Sequence, residues 1–78
     1  MLHHRVTAIL NAAGFYSEIR TRAKRRLGYK VMQLNCATVG VLCGTQYEPA
    51  LVRQSLELAG LSVETRENAS RDALFVIA

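Results

Sequence analysis

Six cationic side chains fall within the eleven residues RTRAKRRLGYK, positions 20 to 30, and no carboxylate lies among them. Arg20, Arg22, Lys24, Arg25, Arg26 and Lys30 supply guanidinium forks and ammonium point charges, groups suited to phosphate or carboxylate oxygens. The whole chain has ten Lys and Arg, so most of its positive charge is packed into one segment. Residues 1–47 hold seven basic side chains against one acidic, and residues 48–78 hold three against five. One end of the molecule is therefore expected to face something anionic.

Other reactive residue types are sparse. His3, His4, Cys36 and Cys43 make a nominal two-Cys, two-His set. Adjacent histidines serve one metal poorly, however, and neither pair has zinc-finger spacing. The expectation is no metal and no cofactor, with the histidines on a frayed terminus and the cysteines reduced and packed as small apolar residues. No nucleophile–base set stands out, and no G-x-x-x-x-G-K phosphate cradle is present. Glu18 and Glu64 have a plainer use, pairing with Arg20 and Arg66 or their neighbours. The reading is of a non-enzymatic protein with no small-molecule substrate.

The elements that must position the basic segment belong to one domain spanning residues 1–78. Half of the residues are hydrophobic, which fits a folded chain rather than a disordered one. So short a chain has a marginal core, and self-association, as a homodimer, is the expected supplement. No apolar run approaches the ~18 residues that span a bilayer. The start, MLHHRVTAILNAAG, is too polar for a secretory signal, which makes a soluble cytoplasmic protein the expectation.

Two stretches are alike. AILNAAGFYSEIRTR (8–22) aligns without gaps on QSLELAGLSVETREN (54–68), matching Leu10 with Leu56, Ala13 with Ala59, Gly14 with Gly60, Glu18 with Glu64 and Arg20 with Arg66. Before each glycine the spacing is helical: Leu2, Val6, Ile9, Leu10 and Ala13, then Val52, Ser55, Leu56 and Ala59. Each glycine stands where a helix ends in the left-handed conformation. Thr45 and Glu48 form a T-x-x-E capping box, with Pro49 in the first turn. After each glycine the period drops to two, followed by a polar break and a second apolar run, YKVMQLN or ALFVIA.

The expected fold is thus α+β, a two-layer sandwich built as a tandem helix–hairpin repeat with halves at about 2–35 and 46–78. Its antiparallel sheet has four or five strands, depending on whether residues 36–44 form a separate short strand, the preferred reading. The outer sheet face should show Tyr16, Glu18, Arg20, Arg22, Ser62, Glu64 and Arg66. Leu51 and Leu58, beside the second helical stripe, either complete the core or form a dimer seam.

On this plan Arg20 and Arg22 end one strand, Lys24, Arg25 and Arg26 form the hairpin tip, and Lys30 begins the return strand. A basic β-ribbon fits the DNA major groove, with Tyr29 and Tyr16 available to stack on a base or sugar. A single basic helix through SEIRTRAKRRL is the competing reading. The matching tip of the second half, ENASRD, is neutral to acidic, so the fold itself does not call for the positive charge. LAGL at 58–61 resembles the opening of the motif of LAGLIDADG homing endonucleases, and the order of helices and hairpins is similar to that family's core. The family's metal-binding acidic position falls on Thr65, which cannot ligate, so the resemblance implies only a topology able to present ribbons to duplex DNA. The expected function is nucleic-acid binding, DNA in preference to RNA, through Arg20, Arg22, Lys24, Arg25, Arg26, Tyr29 and Lys30. The alternative is a protein-interaction or assembly module without nucleic-acid affinity.

Overall fold

Residues 1–15, 20–22, 25–44, 47–65 and 73–77 are described by a computed structural model. The first apolar stripe winds Leu2–Ala12 into helix α1, which buries Val6 and Leu10 completely. The second stripe does the same in helix α2, Pro49–Leu58, through Val52 and Leu56. Both helices end in one way. The Phe15 N–H donates to the Leu10 carbonyl and the Gly14 N–H to Asn11, while Leu61 donates to Leu56 and Gly60 to Glu57. This double bond pattern takes up the last free carbonyls and needs a left-handed residue at the glycine, where φ is 93° and 91°. At its start α2 departs from the capping box. Glu48, extended at φ −72° and ψ 128°, is the N-cap itself and makes no side-chain cap bond. Pro49, lacking an N–H, suits the first helical position, which moves the boundary past the threonine. Thr45 lies outside the described residues.

The class is α+β, with a four-stranded antiparallel sheet beneath two helices. Strands β3 (Tyr29–Asn35), β4 (Thr38–Cys43), β5 (Ser62–Glu64) and β6 (Ala73–Ile77) are ordered β3-β4-β6-β5. Two further strands, β1 (Arg20–Arg22) and β2 (Arg25–Leu27), pair only with each other. Residues 36–44 therefore supply an internal strand, and the return YKVMQLN pairs with β4, while Arg20–Arg22 pairs with β2. The reason is local: Asn35 Oδ1 accepts the Ala37 N–H at 2.9 Å, a turn that reverses the chain at once.

Strand alternation then sorts the side chains. Tyr29, Val39, Val41, Cys43, Val63, Leu74 and Val76 face the helices and, with Val6, Leu10, Val52, Leu56 and Leu61, form one core. Arg53 ties α2 to the sheet, donating from Nε to Glu57 at 2.5 Å and from Nη2 to the Val63 carbonyl at 3.2 Å. Both partners of that ion pair are about half exposed, so its contribution is ~0.3–0.5 kcal/mol.

Several side-chain expectations change. Leu51 and Leu58 are 53% and 80% exposed, and so do not complete the core. Cys43 is buried as expected, whereas Cys36 is exposed in the β3–β4 turn, and neither is in a disulfide. His3 is not on a frayed end: its Nδ1 donates to Gln33 Oε1 at 3.2 Å, joining α1 to β3. The outer sheet face carries Ser62 and Glu64 as expected, but Arg20 and Arg22 belong to the separate ribbon, and Tyr16, Glu18 and Arg66 lie outside the described residues.

No atom lies within 4 Å of a Cβ built on Gly60, so a substitution there tests backbone strain alone. Gly60→Ala is expected to lower stability by ~1–2 kcal/mol, the cost of placing an L-residue in the left-handed region. Gly60→Asn should lose less, because asparagine visits that region more readily. Urea denaturation of the two variants checks both values.

Candidate nucleic-acid interface

The basic segment is a β-ribbon, which sets aside the single-helix reading. In register, Arg20 stands opposite Leu27, Thr21 opposite Arg26 and Arg22 opposite Arg25. Neither strand contains an acidic residue. Arg25 and Arg26 were expected at the tip but lie within β2. Lys24, between the strands, lies outside the described residues.

The ribbon leaves the sheet at Gly28. Its φ of 91° is accessible to glycine at little cost and breaks β2 from β3, so the two strands join different sheets. The Gly28 carbonyl accepts the Gly44 N–H at 2.7 Å, which fastens the root of the ribbon to the end of β4. Tyr29 follows immediately and is fully buried. Its hydroxyl donates to Asn11 Oδ1 at 2.7 Å and lies 3.3 Å from the Thr7 carbonyl, both on α1. The next residue, Lys30, is exposed on the outer face of β3 and makes no ion pair with any described residue.

Tyr29 is therefore corrected from a stacking residue to an anchor: its ring is enclosed by the core and cannot meet a base. Of the six cations, Arg20, Arg22, Arg25 and Arg26 are brought together in the ribbon, and Lys30 stands apart beyond Gly28. The anchoring partners Asn11 and Thr7 were not singled out from the sequence. Their only signal was position, each a polar residue adjacent to the apolar stripe of α1.

Among the described residues, no group of three or more His, Cys, Asp or Glu side chains is arranged to hold a metal ion. Nor, among them, is any helix long and apolar enough to cross a membrane. No protein-family model matches this chain, and neither a curated protein nor a solved structure shows significant similarity to it. The likeness to the LAGLIDADG motif thus stays confined to four residues.

Burial raises the Tyr29 hydroxyl above its ordinary value of 10.0, and the nearby Tyr47 raises it further. The unfolded chain then ionises first on the alkaline side. The stabilisation from this group is complete below pH 10 and is lost as pH climbs from there through the native pKa. Tyr29→Phe is expected to cost ~1 kcal/mol at neutral pH, one hydrogen bond, with Asn11 left free to bind water. It should also flatten the fall in stability above pH 10 relative to the parent chain. Chemical denaturation of both proteins across the alkaline range, followed by circular dichroism, measures the difference.

Proposed function

We propose that the protein is a small, non-enzymatic nucleic-acid-binding protein whose basic ribbon contacts the phosphates of duplex DNA. One observation carries the reading: four arginine positions share a two-stranded ribbon that contains no carboxylate, with Arg22 directly opposite Arg25. Like charges facing each other across a strand pair are destabilising, by ~0.2–1 kcal/mol for such pairs. A polyanion laid along the ribbon removes that cost and gains charge-assisted hydrogen bonds.

A two-stranded ribbon also suits the width of the B-DNA major groove, whereas the deep, narrow major groove of A-form RNA excludes it. Lys30, set just past the root, extends the positive charge toward the sheet. The matched glycine caps of α1 and α2 support taking the two halves as a tandem helix–hairpin repeat. On that view the first half alone was adapted for an anionic ligand, since the corresponding segment of the second half is neutral to acidic. A second reading, an assembly module without nucleic-acid affinity, is favoured by the apolar outer face of the sheet.

Fluorescence anisotropy with a generic duplex across a salt series tests the DNA reading. Each phosphate neutralised contributes ~0.9 to the slope of log K against log salt, so four arginines give a slope of roughly −3 to −4. Replacing Arg25 and Arg26 by alanine should reduce that slope by about 2. Absence of binding at low salt, or an unchanged slope in the double variant, overturns the proposal.

A further inference from the structure

Strand β6 is apolar on both sides. Leu74 and Val76 enter the core beneath the helices, yet Ala73, Phe75 and Ile77 point the other way. A strand with apolar residues on both faces is ordinarily covered on both. Among the described residues the helices cover one face only, and the opposite face carries a run of apolar side chains. On it Met32 and Leu34 are 39% and 47% exposed, while Leu42 and Phe75 are half-buried.

The relief of this surface is specific. Along one cross-strand row the outward positions are Met32 on β3, Gly40 on β4, Phe75 on β6 and Glu64 on β5. Gly40 leaves a notch beside the Phe75 ring. Leu34 leans over one side of it, within 3.3 Å of where a Cβ would stand, and a cavity of about 90 Å³ lies among these side chains. Knob and notch are thus neighbours in one row, on the two central strands.

We infer that this face binds a second copy of the chain, through a two-fold axis parallel to the strands and passing between β4 and β6. Such an axis exchanges β4 with β6 and β3 with β5 across the interface. It sets the Phe75 of each copy over the Gly40 notch of the other, the self-complementary contact an isologous dimer requires. Charge selects the same axis. Lys30 and Glu64 stand at opposite edges of the face, and the exchange brings the Lys30 edge of one copy over the Glu64 edge of its mate. The remaining in-plane axis, perpendicular to the strands, would stack Glu64 on Glu64. The packing is that of two aligned sheets ~10 Å apart.

Four strands spaced by ~4.8 Å, with three outward rows, give a face of ~400 Å² per copy. That is about half of the ~800 Å² per partner typical of a stable interface, so the dimer should be weak and transient. The inference is independent of DNA binding and survives if that reading fails.

Sedimentation equilibrium of the full chain from micromolar to millimolar concentration is the test. The expected result is a reversible monomer–dimer equilibrium. Phe75→Lys, which places a charge at the half-buried centre of the face, should weaken the dimer at least 100-fold. Circular dichroism confirms that the variant is folded. Should it fail to fold, the charge exchange still reads the geometry: Lys30→Glu or Glu64→Lys alone weakens association, and the two together restore it. Leu51→Glu with Leu58→Glu, on the exposed side of α2, should leave association unchanged. A monomer at every concentration overturns the inference, leaving a different protein as the occupant of the face. So does a dimer that survives Phe75→Lys, or one abolished by the α2 variant.

Discussion

The pairing of β4 with β3 on one side and β6 on the other is the constraint on which the rest of the molecule depends. β4 alone contributes Val39, Val41 and Cys43 to the core, and all three are essentially without solvent contact. Fixing this strand fixes the alternation of its neighbours through register, so that Val31 lies opposite Val41 and Val76 opposite Val39. The helices have then only one apolar surface to cover. Their own buried pairs, Val6 with Leu10 and Val52 with Leu56, are spaced by one turn, as burial of a single stripe requires.

The ribbon depends on the same strand at one remove. Its root is held from below by Tyr29, which reaches α1, and from the side by the Gly44 N–H at the end of β4. Between these two ties Gly28 turns the chain out of the sheet. Cationic residues thereby occupy strands that pair with each other and not with the core sheet. Their mutual repulsion does not have to be absorbed by the packed part of the molecule.

The helices, their glycine ends and the α+β class were legible in the sequence, because each follows from short-range rules: a 3.6-residue stripe and a left-handed stop. The strand partners were not. YKVMQLN alternates equally well against residues 15–22 or 36–44, and nothing in its own composition decides between them. The decision lies in Asn35, whose side chain closes a turn within two residues. Tyr29 was misread for a related reason. Within a segment of six cations it looks like part of a binding surface, yet the chain turn at Gly28 puts it under α1. The outer face was foreseen in part: Ser62 and Glu64 lie on it, but Arg20 and Arg22 belong to the separate ribbon. The run ALFVIA, apolar at every position, was the available signal that both sides of that strand need cover.

The strand order has a further consequence for biogenesis. β6 lies between β4 and β5, although it is made long after β4. A nascent chain emerging N-terminus first can close the β3–β4 hairpin early, but it leaves one edge of β4 unpaired until residues 73–77 leave the ribosome. At ordinary rates of translation that interval is on the order of seconds, during which a row of open backbone groups flanked by valines is a template for wrong pairing. Neither helix can dock fully in the meantime, since half of the floor beneath them is missing. Completion of the sheet therefore waits on its last strand, even though the local signals that start it are written near the beginning of the chain.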